Sequence, residues 1–462
     1  MSDAELAWLM SELSAESDPT IVALASPWGT GAVATIRMSG PHAAEVAARA
    51  CGRDVARPWE DRRATLARVC DEGGRVIDEV LVTYFAPPRS YTGEAVVEVS
   101  THGGRLVTSQ VLDRLRACGA EPAVPGEFTQ RAFFHGKMDL TQAEAVMDLI
   151  HAQSELSLRA AHEQLAGHLG RRTEALREEL IAVLAQLEAW IDFPEESLDP
   201  ASAESLASRL DAVREAIEGL LATADQGRIL REGLRTVICG LPNAGKSSLL
   251  NALLQEDRVI VSETAGTTRD TIEERLVVDG VPLRVVDTAG LRSGALDDLE
   301  QEGMRRTRDV VGRADLLLVV ADGSLGPDEA MPTGLPEVER KLVILNKGDL
   351  GEAPGWGDDC VRISCVEGSG FDALRGRIRE LADLGEADWG EHSVAVNARH
   401  RACLERCAEA LGRAIPLIRQ GEEAEIIALD LREALEHLGE VAGRVDTEDI
   451  LGSIFSQFCI GK

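Results

Sequence analysis

The stretch Gly240-Leu241-Pro242-Asn243-Ala244-Gly245-Lys246-Ser247 constrains the chain more than any other. An apolar run, Thr236 to Cys239, precedes it, and Ser248-Leu249-Leu250-Asn251-Ala252-Leu253-Leu254 follows with helical spacing. Strand, glycine-rich loop and helix are the context in which G-x-x-x-x-G-K-[ST] binds phosphate. Consecutive backbone N–H groups curl around a β-phosphate, and the helix N-terminus adds its positive end. Gly240 and Gly245 permit backbone angles that a Cβ forbids. Lys246 offers a point charge to the β- and γ-phosphates, and the Ser247 hydroxyl offers a ligand to Mg²⁺. The nucleotide-binding set in this loop is Asn243, Ala244, Gly245, Lys246, Ser247 and Ser248.

Further motifs fall in order at the ends of apolar, strand-like runs. Asp287-Thr288-Ala289-Gly290 suits the Mg²⁺ shell through Asp287 and γ-phosphate sensing through the Gly290 amide. In Asn346-Lys347-Gly348-Asp349 the last carboxylate can accept both N1–H and the 2-amino group of guanine. Adenine has neither donor there, so a carboxylate at this place discriminates strongly. Ser364-Cys365 follows the last strand, where a backbone amide can meet guanine O6. Thr264-Ala265-Gly266-Thr267-Thr268-Arg269-Asp270 reads as a switch, with Thr268 the first choice to complete the Mg²⁺ sphere. Together these describe a GTPase. The residue after Gly290 is Leu291, which cannot hydrogen-bond an attacking water, so the polar catalytic group comes from elsewhere. Candidates are Arg269, Arg292 and the acidic cluster Asp297, Asp298, Glu300 and Glu302.

Composition narrows the partners. The 462 residues carry a net charge of −31, so nucleic acid must dock on a local patch or through a partner. Only five of the 48 basic residues are lysine (Lys137, Lys246, Lys341, Lys347 and Lys462). Where arginine serves almost everywhere, a surviving lysine marks a place that needs a compact ammonium. Nine cysteines, scattered and without a C-x-x-C pair, read as reduced thiols. The N-terminus lacks a basic leader and no window reaches membrane-span length, so a soluble, cytoplasmic protein is expected.

The chain divides as follows. Residues 1–18 read as a loose amphipathic extension. Strand-like runs at Thr20–Ala25, Ala32–Arg37, Val80–Phe85 and Ala95–Ser100, with a helix after His102-Gly103-Gly104, predict a compact α/β domain over 19–137. Residues 138–227 are helical, with Leu176, Leu180, Val183, Leu184, Leu187, Trp190 and Ile191 on one stripe and a second helix over about Ala203 to Asp225. The phosphate-loop domain spans 228–384, a mostly parallel sheet with an Asp279-Gly280 hairpin. Helical pattern returns over 385–462, which implies one helical bundle interrupted by an inserted domain.

Asn243, the Thr264–Asp270 switch and the ending Phe458-Cys459-Ile460-Gly461-Lys462 belong together. With Gly126-Glu127-Phe128-Thr129-Gln130-Arg131-Ala132-Phe133 and Asp139-Leu140-Thr141-Gln142-Ala143-Glu144-Ala145, they resemble the MnmE (TrmE) family of bacterial tRNA-modification GTPases, of the TrmE-Era-EngA-like superfamily. The resemblance covers about residues 20–462. It implies a multidomain α/β fold: an N-terminal α/β folate-binding domain, and an α-helical bundle domain interrupted by a Ras-like P-loop GTPase domain. It implies a constitutive homodimer that binds 5-formyl- or 5,10-methylene-tetrahydrofolate through Arg37, Glu98, Lys137 and the tail residue Lys462. It implies a K⁺ ion held by Asn243 with oxygens near Ser262, Thr264 and Thr267, and a water-orienting role for Glu300. Cys459 matches the family's functional cysteine. With the FAD- and NADH-dependent partner MnmG, such a protein modifies C5 of the wobble uridine of certain tRNAs. The alternative expectation is a regulatory, ribosome-associated GTPase that modifies nothing.

Overall fold

The computed structural model describes residues 18–192, 200–256, 273–286, 311–383, 395–444, 448–456 and 458–461. The chain forms two compact units, Met1–Glu144 with Gly443–Lys462, and Ala145–Ala442.

The first unit is built on a six-stranded sheet of β1 (Ile21–Leu24), β2 (Val33–Ser39), β3 (Ala64–Cys70), β4 (Val76–Phe85), β5 (Val96–His102) and β6 (Glu121–Pro122). Their order is β3-β4-β5-β2-β1-β6, antiparallel except for the β1–β6 pair. Alternation sets the faces, because successive side chains on a strand point to opposite sides. Ile36, Met38, Val80, Val82, Val97 and Val99 join the core with α1 (Ala43–Ala50) and α2 (Arg105–Ala117). The intervening residues, including Arg37 and Glu98, lie on the other face. Sequence reading found four of these strands and α2. It missed β3, an edge strand with Leu66 exposed, the two-residue β6 at the other edge, and α1, whose core side chains are alanines and one valine. Helix α3 (Glu127–Phe134) follows, and α4 (Leu140–His151) carries the chain across the boundary of the two units.

The second unit holds two cores. One unites α6 (His168–Asp192) and α7 (Pro200–Leu221) with α12 (Ala398–Gln420) and α13 (Ala424–Ala442), from Leu169 through Ile217 to Leu404 and Val441. Asn397 caps α12, accepting from the His400 amide at 2.8 Å. The helix expected over Ala203–Asp225 is two: α7 stops at Leu221, the Thr223 hydroxyl bonds the Leu220 carbonyl, and α8 (Ala224–Glu232) begins. The other core surrounds a second six-stranded sheet, with α5 (Glu155–Leu165) and α8 against it through Ala160, Ile229 and Leu230. Its strands are β7 (Leu234–Cys239), β8 (Glu274–Val278), β9 (Val281–Val285), β10 (Leu316–Asp322), β11 (Arg340–Asn346) and β12 (Val361–Arg362). Their order is β12-β11-β10-β7-β9-β8, parallel except for the β8–β9 hairpin turned by Asp279-Gly280. Leu249, Leu250 and Leu253 of α9 (Lys246–Glu256), with Leu374 and Ile378 of α11 (Phe371–Leu381), cover one face. The short α10 (Pro327–Ala330) lies between β10 and β11. The last helix, α14 (Glu448–Phe455), packs on α3 in the first unit.

Candidate guanine-nucleotide site

The phosphate-loop turn runs from the end of β7 into α9. Gly240 has φ 150°, and a Cβ there would stand 2.1 Å from the Val320 carbonyl oxygen. Gly245 has φ 98°, and a Cβ there would stand 2.0 Å from the Asn346 amide nitrogen. The loop therefore lies directly against β10 and β11, and only glycine fits at those two points. Asn243 adopts φ 63°, the left-handed region that asparagine tolerates better than most residues. The Lys246 ammonium donates to the carbonyls of Gly240 at 3.0 Å and Leu241 at 2.9 Å. Burial lowers its pKa, opposed by the neighbouring Cys239 thiol.

Asn346 ties three motifs together. Its side-chain nitrogen donates to the Ala244 carbonyl at 3.0 Å, and its side-chain oxygen accepts from the Cys365 amide at 3.2 Å. The residue is 3% exposed. Asn346 thus clamps the phosphate loop to the Ser364-Cys365 turn through the Cys365 amide. Asp349 stands exposed in a 3₁₀ turn, Gly348–Leu350, and its carboxylate accepts from the Ser364 hydroxyl at 2.7 Å. Ser364 is fully buried and also accepts from the Glu367 amide at 3.2 Å, which fixes its orientation. Lys347 sits at φ 66° with its ammonium 2.5 Å from Asp322 at the end of β10. Burial alone would raise the Asp322 pKa, but its bonds from Lys347 and Ser324 outweigh this and lower it. Asp322 carries no motif and was missed in the sequence; its signal is position, since β10 and β11 place it opposite Asn346.

The remaining catalytic and metal candidates, Ser262, Thr264, Thr267, Thr268, Arg269, Asp287, Thr288, Ala289, Gly290, Arg292 and Glu300, lie outside the described residues, as does Lys462.

In the first unit, the β2–β5 register sets Arg37 directly opposite Glu98. The guanidinium donates to one carboxylate oxygen from Nε at 3.0 Å and from a terminal nitrogen at 2.8 Å. It also lies 5.3 Å from the Tyr91 ring centre and 6.0 Å from that of Phe128, within cation–π range. Burial raises the Tyr91 pKa, opposed by its bond to Thr129. Lys137 donates to the Pro88 carbonyl at 2.9 Å, on the loop that carries Tyr91. Three of the four expected folate contacts thus sit on or beside the 86–95 loop and the β2–β5 pair. Tyr91 was not foreseen. The tail returns to the same region: a Cβ on Gly461 would lie 2.3 Å from the Leu24 carbonyl, and Leu24 follows Ala23, the β1 partner of Arg37. Cys459 is exposed.

A sheet ending in a phosphate loop, clamped to an Asn-Lys-Gly-Asp turn, is the arrangement of a P-loop GTPase. A family profile described as the MnmE helical domain matches residues 140–459, and one described as the GTP-binding protein TrmE N-terminus matches residues 20–137. The protein named tRNA modification GTPase MnmE from Akkermansia muciniphila is 49% identical, covering 96% of this chain and 100% of that protein. Those of Opitutus terrae and Alkalilimnicola ehrlichii are 44% and 45% identical, each covering 96% of this chain and 99% of their own length. The chain belongs to the MnmE family of tRNA modification GTPases. Among the described residues, no helix is long and apolar enough to cross a membrane.

Proposed function

We propose that the chain is a K⁺-stimulated GTPase of the cytoplasm that works with the flavoprotein MnmG on tRNA. In this reading a homodimer installs the (carboxymethyl)aminomethyl group at C5 of the wobble uridine, and GTP hydrolysis supplies conformational work. The inserted-domain layout, with domains at 19–137, 138–227, 228–384 and 385–462, belongs to the same reading. The observation that carries it is the pairing, in one chain, of a clamped guanine-nucleotide loop with an Arg37–Glu98 pair beside Tyr91 and the C-terminal tail.

The donor set suits a tetrahydrofolate. Such a ligand presents a glutamate carboxylate, which a cation recognises, and an amino-pterin edge, which a carboxylate recognises. Arg37, Lys137 and Lys462 would take the first and Glu98 the second; when bound, the folate supplies the one-carbon unit. Asn243, with oxygens of Ser262, Thr264 and Thr267, would hold K⁺, while Ser247 and Thr268 would hold Mg²⁺. Glu300, with Arg269 and Arg292, would orient and polarise the attacking water, the task Leu291 cannot perform.

Nucleoside analysis of tRNA from cells lacking the protein tests this directly. Loss of the C5 modification is expected; an intact modification sinks the reading and favours a purely regulatory GTPase. The potassium step has its own measurement. Turnover in KCl should exceed that in NaCl. Asn243→Ala should lower the KCl rate by about 10³-fold, the lower end of what an arginine finger supplies elsewhere. Equal rates in the two salts, or an unimpaired Asn243→Ala protein, would remove K⁺ from the mechanism.

A further inference from the structure

Three arginines become neighbours across the second sheet: Arg275 and Arg284 flank the β8–β9 hairpin, and Arg235 joins them from β7. The β7–β9 register places Arg235 opposite Arg284, and the β8–β9 register places Arg284 opposite Arg275. The row spans about 10 Å at ordinary strand spacing. It lies on one face, because the adjacent Leu234, Leu276 and Leu283 point into the core on the other. It ends at β8, the last strand of the sheet among the described residues. Arg275 is exposed, the Arg284 side chain is 30% exposed, and Arg235 is half-buried.

Nearby arginines are matched by acids: Arg228 by Asp225 and Asp315, and Arg231 by Asp148 at 2.7 Å. The row is matched only in part: Glu273 pairs with Arg284 at 3.6 Å and Asp315 accepts from the Arg235 backbone amide at 2.8 Å, but among the described residues no carboxylate pairs with the side chains of Arg235 or Arg275. The Nε atoms of Arg235 and Arg284 are buried and find no hydrogen-bond partner among the described residues. Like charges placed directly opposite destabilise a sheet, so the row costs the fold something. His151 lies within the same field and is held neutral by it: burial, then the guanidinia of Arg275 and Arg231, lower its pKa.

In a chain of net charge −31, a positive row that the described residues compensate only in part suits a polyanion. We infer that Arg275, Arg284 and Arg235 bind the phosphate backbone of tRNA, a step that rests on the tRNA-modification reading above. Guanidinium forks match phosphate oxygens two at a time, and about 10 Å accommodates neighbouring phosphates.

The test is tRNA affinity of the full-length protein across a KCl series, with and without the flavoprotein partner. Each phosphate contact contributes about one unit to the slope of log K against log salt. Arg275→Ala should reduce that slope by about one, Arg275→Ala with Arg284→Ala by about two, and Arg275→Lys should keep it. GTP turnover without tRNA should be unchanged in all three. A wild-type slope in the double variant overturns the inference, as does salt-independent binding by the wild type. Loss of flavoprotein binding with the tRNA slope intact overturns it too, and makes the row a protein-docking surface. Failure of the modification reading is registered separately, by the nucleoside analysis.

Discussion

Replacing Asp349 by asparagine is expected to turn a GTP-hydrolysing site into one that prefers XTP. Guanine offers N1–H and a 2-amino group, both donors, and the Asp349 carboxylate can accept both. Asparagine keeps one acceptor but brings an N–H₂ group to face the 2-amino group, so donor meets donor. Sites built to hydrogen-bond a given edge reject the wrong one by about 10⁴-fold or more, because a polar group is left unpaired. The kcat/KM for GTP should fall by about that factor. Xanthine carries a carbonyl at C2, which the new N–H₂ group can donate to, so XTP turnover should rise as GTP turnover falls. The site stays formed, because the Ser364 hydroxyl that donates to Asp349 at 2.7 Å finds an oxygen acceptor in asparagine as well. Steady-state turnover with both nucleotides checks this. Unchanged GTP preference in the variant would show that Asp349 does not read the base.

That prediction rests on a motif visible in the sequence, and the same holds for much of the nucleotide site. The glycine-rich loop and the Asn346–Asp349 turn are local, each set by a strand end and a few consecutive residues, so spacing alone reveals them. What spacing cannot reveal is pairing at a distance. The Asn346 side chain clamps Ala244, 102 residues earlier in the chain, to the Cys365 turn. Asp322 has no motif and acquires a role only when β10 and β11 align it with Asn346 and Lys347. Arg37 and Glu98 are 61 residues apart, and Tyr91 joins them only through the fold. In the arginine row, Arg275 and Arg284 meet across the Asp279-Gly280 hairpin, whereas Arg235 joins them only through the β7–β9 register. The misses in secondary structure have related causes. An exposed edge strand and an alanine-rich helix give weak hydrophobic periodicity, and the break after Leu221 depends on a side chain bonding its own backbone.

The largest stability effect should come from Arg131, in the Glu127–Phe134 helix of the first unit. The residue is 5% exposed. Its guanidinium donates to Glu127 at 2.8 Å and to Glu94 at 3.3 Å, so one cation faces two carboxylates. Each carboxylate has further donors: the Ser39 hydroxyl bonds Glu94 at 2.7 Å, and the Val124 amide bonds Glu127 at 2.9 Å. Ser39 in turn shares a 2.7 Å bond with Thr92, so the network holds the 86–95 loop that carries Tyr91 to the sheet. Truncating Arg131 to alanine leaves two part-buried anions uncompensated, and breaking such a pair from one side costs about 3–5 kcal/mol. For a unit of this size each kcal/mol lowers the melting temperature by about 2–4 °C, so a drop on the order of 10 °C in its transition is expected. Arg131→Lys should recover part of the loss, since charge returns without the fork that reaches both carboxylates. Arg131→Met combined with Glu94→Gln and Glu127→Gln should be milder than Arg131→Ala, because no charge is then left unpaired. Calorimetry of the full-length variants decides the matter. If Arg131→Ala and the triple variant melted together with the wild type, the network would hold neither the helix nor the loop.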